Sequence, residues 1–98
     1  MTEIDWGVVT PESANLAENK FTYVFNHKLS TAAEIDRTIR FIIGRLFFYD
    51  MHLPPNSKHD VKIDARGQNL QQSTVDHIVE VVKERYNKPN LMAIQIIR

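Results

Sequence analysis

A short stretch of the chain, KIDARGQNLQQ at 62–72, combines charged, glycine and amide residues in a spacing that suits recognition of phosphate. Three charged residues alternate with apolar ones, so a strand would carry them on one face: Lys62, Asp64 and Arg66. Gly67 ends the alternation and permits a backbone turn that a side chain would disfavour. Arg66 can hold a phosphate with its fork of N–H donors, and the amides of Gln68 and Asn69 can read polar edges of a ligand.

The same residues also have a purely structural interpretation. Asp64 and Arg66 are natural partners for a surface ion pair, which contributes little to stability. Gly67 then only turns the chain, and the amides belong to a solvated loop. From residue chemistry alone we favour this structural interpretation.

A metal site is a further alternative in the same strand. Asp60-Val61-Lys62 has the acidic-x-Lys spacing that places a metal ligand and a lysine on one strand face, and Asp50 or Glu34 could supply a second carboxylate. Chance surface charge produces so short a pattern as well. We therefore expect no cofactor and keep a divalent metal for this alternative only.

An aromatic and cationic row follows one face of the first predicted helix at steps of four and three: Phe41, Arg45, Phe48 and His52. Such a row can stack nucleobases beside a cation. It can equally be the shoulder of the core or a patch that binds a partner protein. We favour the second interpretation from the sequence.

The elements that position these residues follow the order β-α-β-α-β. Alternation and apolar runs predict strands over 21–27, 59–65 and 91–97, and spacings of three and four predict helices over 30–52 and 73–86. The apolar residues at these spacings predict a buried stripe on each helix: Ile35, Ile39, Ile42, Leu46 and Tyr49 on the first, and Val75, Ile78, Val79, Val82 and Tyr86 on the second. Capping boxes are expected at Thr31 with Glu34 and at Ser73 with Asp76.

The last predicted strand is apolar throughout, which predicts a central position in the sheet. The unit 59–97 should be a right-handed parallel crossover, which places Arg66 at the carboxyl end of its strand, where α/β sheets bind ligands.

Composition indicates one small domain, 1–98, of the α+β or α/β class. The chain is 43% hydrophobic and 24% charged, with no cysteine, which excludes disulfides and a cysteine nucleophile.

The net charge of the chain is zero, but residues 1–26 hold one lysine against four acids and residues 27–98 hold 11 basic against 8 acidic residues. We expect residues 1–20 to form an acidic lead segment, either irregular or with a short helix after Pro11, and 21–98 to form the body. The start lacks the basic and apolar regions of a signal peptide, so we expect a cytoplasmic chain or a piece of a larger protein carried by another signal.

The stretch from Leu53 to the end resembles the C-terminal toxin domains of bacterial polymorphic and contact-dependent inhibition toxins, the CdiA, Rhs and WapA type. The resemblance lies in Leu53-Pro54, in the strand closing as Asp64-Ala65-Arg66-Gly67-Gln68, in the following helix and in the final AIQII. NHKLS at 26–30 is similar to the opening of such domains, so 21–98 is covered. The resemblance implies a ribonuclease acting on RNA, chiefly tRNA, in a target bacterium, and a cognate immunity protein. It also implies a barnase-like antiparallel sheet, which conflicts with the parallel crossover.

If the chain is such a ribonuclease, cleavage without a metal needs an acid, a base and cations for the phosphate. Histidine suits the first two roles near neutral pH. We rank the four histidines by their position relative to the strand ends: His27, His59, His52 and His77. His27 would end the first strand and His59 open the second, so either could reach a shared edge. The remaining predicted contributors are Arg66 for the phosphate, Asp64 to orient Arg66 or a histidine, Lys28 and Lys62 for added charge, and Gln68, Asn69 and Thr74 for substrate hydrogen bonds.

Overall fold

Strands and helices alternate along the body of the protein. The computed structural model describes the backbone at 14–15 and residues 19–98 in full. Its elements are β1 Ala14–Asn15, β2 Lys20–Phe25, α1 Ala32–His52, β3 Lys58–Asp64, α2 Gln72–Arg85 and β4 Leu91–Ile97. From β2 onward the order is β-α-β-α-β, so the predicted small domain of the α+β or α/β class is confirmed. The helix expected after Pro11 falls largely outside the described residues, and β1 was not predicted.

The four strands form one sheet in the order β1-β2-β3-β4. β2 pairs with β3 in parallel, Phe21 opposite His59 and Phe25 opposite Ile63, and β3 pairs with β4 in parallel. The parallel crossover is therefore confirmed, and these pairs differ from the antiparallel sheet that the toxin resemblance implied. Among the described strands, antiparallel pairing occurs between β1 and β2 alone.

The predicted central position of β4 is wrong, because β3 lies between β2 and β4 and β4 ends the strand order of the described residues. An apolar run predicts that both faces of a strand are buried. It does not predict whether the strand pairs with a neighbour on both of its edges. In β4 even that burial is incomplete, since Met92 is 51% exposed.

Both helices pack on one face of the sheet and contact each other. α1 begins with the predicted capping box: Thr31 accepts from the Glu34 backbone N–H, and the Glu34 side chain accepts from the Thr31 backbone N–H. It ends before Pro54, because the residue preceding a proline disfavours helical backbone. α2 starts differently from the prediction: Gln71 is its N-cap and makes no side-chain capping bond, so the expected Ser73–Asp76 box is wrong.

The core lies between the sheet and the helices. Alternate residues of β2 and β3 are buried there, together with the predicted stripes of α1 and α2: Phe21, Tyr23, Phe25, His59, Val61, Ile63, Ile39, Ile42, Leu46, Tyr49, Ile78, Val82 and Tyr86. The opposite face of the sheet is more polar and partly exposed. None of the helices in the described residues has the length and hydropathy needed to cross a membrane.

Candidate functional site

The carboxyl ends of β2 and β3 meet at one edge of the sheet because the two strands are parallel. The loop 26–31 leaves β2 at this edge and the loop 65–71 leaves β3 there. The side-chain amide of Gln68 joins the two loops: its Nε2 donates to the carbonyl of His27 at 2.9 Å, and its Oε1 accepts from the backbone N–H of Leu29 at 2.7 Å. Gln68 was predicted to bind substrate, but in the structure its amide positions the segment that contains His27 and Lys28.

Arg66 projects from the same edge and is 70% exposed at its side chain. Asp64 accepts from both Nε (2.9 Å) and Nη2 (2.7 Å) of Arg66, which is the paired geometry expected when a carboxylate orients a guanidinium. The hydrogen bond and the charge of Asp64 raise the pKa of Arg66, and the hydrogen bonds from Arg66 lower the pKa of Asp64. The geometry agrees with an orienting role for Asp64 and equally with a surface ion pair.

The backbone conformation at position 67 favours glycine. Gly67 has φ +86°, in the region that L side chains rarely adopt, and it turns the chain from β3 toward α2. The next exposed residue, Asn69, also has positive φ, at 54°. This double turn delivers the chain to the first turn of α2, where the half-buried Thr74 lies. Arg98, from the end of β4, reaches the same region and donates to Gln72 Oε1 at 2.6 Å.

The structure does not bring His27 and His59 together. His59 lies opposite Phe21, near the start of the strands, and Phe25 is four residues, or about 13 Å, further along β2. His27 lies beyond Phe25, at the carboxyl edge. Parallel pairing puts the end of one strand beside the end of the next, so the predicted shared edge for these two histidines does not form. His59 is also completely buried.

His59 is the centre of a buried hydrogen-bond network instead. Its Nε2 lies 2.7 Å from Asp50 Oδ1 and its Nδ1 2.6 Å from the Tyr23 hydroxyl. An ionised carboxylate only accepts, so the Nε2–H of His59 donates to Asp50. Asp50 also accepts from Tyr86 Oη at 2.5 Å and from Asn90 Nδ2 at 2.9 Å.

The network shifts several pKa values. Burial raises the pKa of Tyr23 and of Tyr86, and the nearby Asp50 carboxylate adds to both. Burial acts to raise the pKa of Asp50 as well, but hydrogen bonds from Tyr86, His59 and Lys88 outweigh it and lower the pKa. The sequence prediction missed this network. Its available signal was Asp50 itself, an acid four residues after Leu46 on a buried helix stripe, where a charged residue requires partners.

The side chains predicted as ligands in the alternative metal site lie apart in the structure. Asp60 and Lys62 are on the sheet face opposite the helices, where Asp60 accepts from Thr22 at 3.3 Å and pairs with Lys20 at 3.8 Å. Asp50 belongs to the buried network, and Glu34 caps α1 at the carboxyl edge. No cluster of three metal-ligating side chains occurs among the residues that the structure describes.

Fold and edge together define a small α+β domain with three parallel strands, in which Gln68 joins two loops at the carboxyl edge. One loop contains His27, whose ring lies against Phe41 of α1, and the other contains Arg66, which pairs with Asp64. Comparison of the chain with known protein families, with curated proteins and with solved structures finds no match. The resemblance to toxin domains therefore depends on the residues named in the sequence analysis, and the function is proposed from the site.

Proposed function

We propose that this protein is a ribonuclease of the toxin type that cleaves RNA at the carboxyl edge of its sheet. One observation carries the proposal: the Gln68 amide makes both of its hydrogen bonds to the backbone of residues 27–29. It thereby joins the Arg66-Gly67-Gln68 motif to the loop after β2, in which His27 lies two residues beyond the end of the strand.

The residues at this edge suit cleavage by the 2′-hydroxyl of the RNA. In that reaction the 2′-oxygen forms a bond to the adjacent phosphorus, the bond from phosphorus to the 5′-oxygen breaks, and a proton moves from the 2′-oxygen to the leaving oxygen. His27 is assigned the proton transfer and Arg66, held by Asp64, the phosphate charge. Lys28, exposed beside His27, adds positive charge.

Substrate, partner and location follow from the toxin resemblance. We assign tRNA as the RNA, the cytoplasm of a target bacterium as the place of action, and a cognate immunity protein as the natural inhibitor.

Cleavage of purified bacterial tRNA by the purified protein tests the proposal. We expect fragments with 2′,3′-cyclic phosphate ends, formed equally with and without a chelator, and at least 100-fold slower cleavage for His27→Ala and Arg66→Ala. His77→Ala is the matched control, because His77 is an exposed histidine of α2 outside the edge. Intact tRNA at high enzyme concentration, or unchanged cleavage by His27→Ala, would refute the proposal. Activity that a chelator abolishes would support the metal alternative.

A non-catalytic protein-binding module is the second candidate, and the Arg66–Asp64 pair favours it. The Asp64 carboxylate already occupies Nε and Nη2 of Arg66, as in an ordinary surface ion pair. Expression in bacteria separates the two candidates. A ribonuclease arrests growth, with relief by His27→Ala, whereas a binding module leaves growth and tRNA intact.

A further inference from the structure

One side of α1 carries cationic and aromatic residues along most of its length. They recur at steps of four, four, three and four and define the outer flank of α1: Arg37, Phe41, Arg45, Phe48 and His52. The flank points away from α2, because Phe47, the neighbour of Phe48, is the residue that contacts Tyr86 and Lys88 on the α2 side.

The rings of the flank hold a cation between them. The Arg45 guanidinium carbon lies 5.0 Å from the Phe48 ring centroid, 5.3 Å from that of Tyr49 and 5.9 Å from that of Phe41. None of the carboxylates in the described residues pairs with Arg45. Arg45 Nη2 also donates to the Tyr49 hydroxyl at 3.5 Å. Among the described residues the guanidinium therefore contacts ring faces and one hydroxyl, which leaves a favourable position for an anion close by.

Two aromatic rings near the C-terminal end of the flank are accessible to solvent. Phe48 is 43% exposed, and its centroid lies 4.3 Å from that of the exposed His52. Two neighbouring rings of this kind form a surface on which unpaired bases stack.

Of the three acidic residues of α1, Glu34 lies three residues before Arg37 on the line of the flank, where its carboxylate accepts from the backbone N–H groups of Ser30 and Thr31. The other two lie away from the flank. Asp36 pairs with Arg40 at 3.0 Å, and Asp50 is in the buried network with His59. Between positions 37 and 52 the flank thus carries Arg37 and Arg45 and no acid. Segregated positive charge beside aromatic rings complements a polyanion with flat bases, whereas an ordinary protein partner offers no such repeated negative charge.

The flank is continuous with the carboxyl edge. The Phe41 ring centroid lies 5.1 Å from that of His27, and from Phe41 to His52 the helix rises about 16 Å. We propose that the outer flank of α1 binds single-stranded RNA next to the cleavage edge, with bases on Phe48 and His52 and phosphates near Arg37 and Arg45. The inference rests on the proposed ribonuclease function and adds to it that the strand beside the cleaved bond is unpaired, since only unpaired bases can stack on protein rings.

Binding of a labelled single-stranded RNA tests the inference without any cleavage. A 12-nucleotide RNA with 2′-O-methyl groups cannot be cut by its own 2′-oxygen, and its fluorescence anisotropy reports the dissociation constant. We expect Phe48→Ala to weaken binding roughly 5- to 150-fold, the effect of losing one stacked base. Phe47→Ala is the matched control, because Phe47 is the adjacent residue, is 41% exposed and faces α2; it should bind within about twofold of the unaltered protein.

The salt dependence of binding tests the cationic part of the flank. Removing one phosphate contact lowers the slope of log K against log salt concentration by about 0.7 for a single strand. Arg37→Gln should show that decrease, whereas Arg40→Gln, which removes an equal charge from the Asp36 ion pair, should keep the slope. Equal slopes for the two variants would refute phosphate binding on the flank.

The inference and the proposed function fail in different ways. Equal losses for Phe48→Ala and Phe47→Ala, or equally tight binding of a blunt RNA duplex, overturn the inference even if tRNA is cleaved. Tight, Phe48-dependent binding without any cleavage supports the inference and overturns the ribonuclease assignment. Absence of RNA binding by the unaltered protein overturns the inference and returns the flank to a partner-protein interpretation.

Discussion

Replacing Asp50 should destabilise the protein more than replacing any other carboxylate of α1. Its two oxygens accept from His59, Asn90 and Tyr86 at 2.7, 2.9 and 2.5 Å, and Lys88 lies at 3.4 Å. These donors come from β3, the end of α2 and the loop before β4, so one side chain joins α1 to three other parts of the chain. Two of the donors, on His59 and Tyr86, belong to fully buried side chains.

The expected cost follows from those two donors. Asp50→Ala leaves the His59 N–H and the Tyr86 O–H without their acceptor, and each stranded buried donor costs about 1–3 kcal/mol. The Asp50 side chain is 19% exposed, so water can enter the vacated space and recover part of the loss. We therefore expect a decrease of about 3 kcal/mol in the free energy of unfolding. Asp50→Asn keeps one acceptor oxygen and should cost about half of that.

Urea denaturation followed by circular dichroism at 222 nm measures this free energy. Asp36→Ala is the matched control, since Asp36 is a carboxylate of the same helix in an exposed i,i+4 pair with Arg40. Such a pair contributes about 0.5 kcal/mol at most. If Asp50→Ala and Asp36→Ala lost equal stability, the Asp50 network would not hold the elements together and the reasoning would be refuted.

The lowered pKa of Asp50 gives the same contribution a pH dependence. A carboxylate with a lower pKa in the folded state contributes stability that is fully present above its unfolded pKa, about 3.9, and is lost as pH falls through the folded value. The stability difference between the unaltered protein and Asp50→Asn should therefore be constant near neutrality and shrink below about pH 4. A difference that grows on acidification would contradict the assignment.

Three further predictions concern other positions. Tyr23→Phe removes the hydroxyl that lies 2.6 Å from His59 and keeps the ring stacked on Tyr49, so urea denaturation should show a loss of about 1–2 kcal/mol. Gly67→Ala should lower the thermal midpoint because of its positive φ, whereas Gly44→Ala should raise it, since a mid-helix glycine with open space around it costs up to about 1 kcal/mol. Gln68→Ala should lower kcat of tRNA cleavage about 100-fold with KM within twofold, because Gln68 positions the His27 loop rather than substrate; a raised KM with unchanged kcat would restore its predicted role as a binding residue.

Local rules predicted most of the fold from the sequence. The spacing of Ile39, Ile42, Leu46 and Tyr49 identified a buried helix stripe, and the Thr31–Glu34 box identified where that helix begins. The connection between 59 and 97 was correctly predicted as a parallel crossover, because a strand, a helix and a strand in sequence rarely arrange otherwise. Each of these features depends on residues within one or two turns or on a general rule of chain connection.

Long-range pairing was beyond those rules. The sequence placed His59 at a strand start but gave no sign that Tyr23, Asp50 and Tyr86 would converge on it from separate elements. To predict the strand order, one must know beside which strand β4 lies, and an apolar run does not contain that information. Gln68 was a similar case: an amide has the same donors and acceptor for a ligand as for a backbone loop, and only the structure shows the loop.

Polar side chains are buried at the amino end of the sheet and exposed at its carboxyl edge, and this difference bears on where a substrate could react. At the amino end, His59 is completely buried and both of its nitrogens have partners, so it cannot contact a substrate without unfolding. At the carboxyl edge, Arg66 is exposed and its partner Asp64 fixes its orientation without enclosing it. A catalytic group must be both oriented and reachable, and Arg66 meets both conditions. The buried histidine network therefore stabilises the domain, and a search for activity belongs at Arg66, His27 and the Gln68 bridge between their loops.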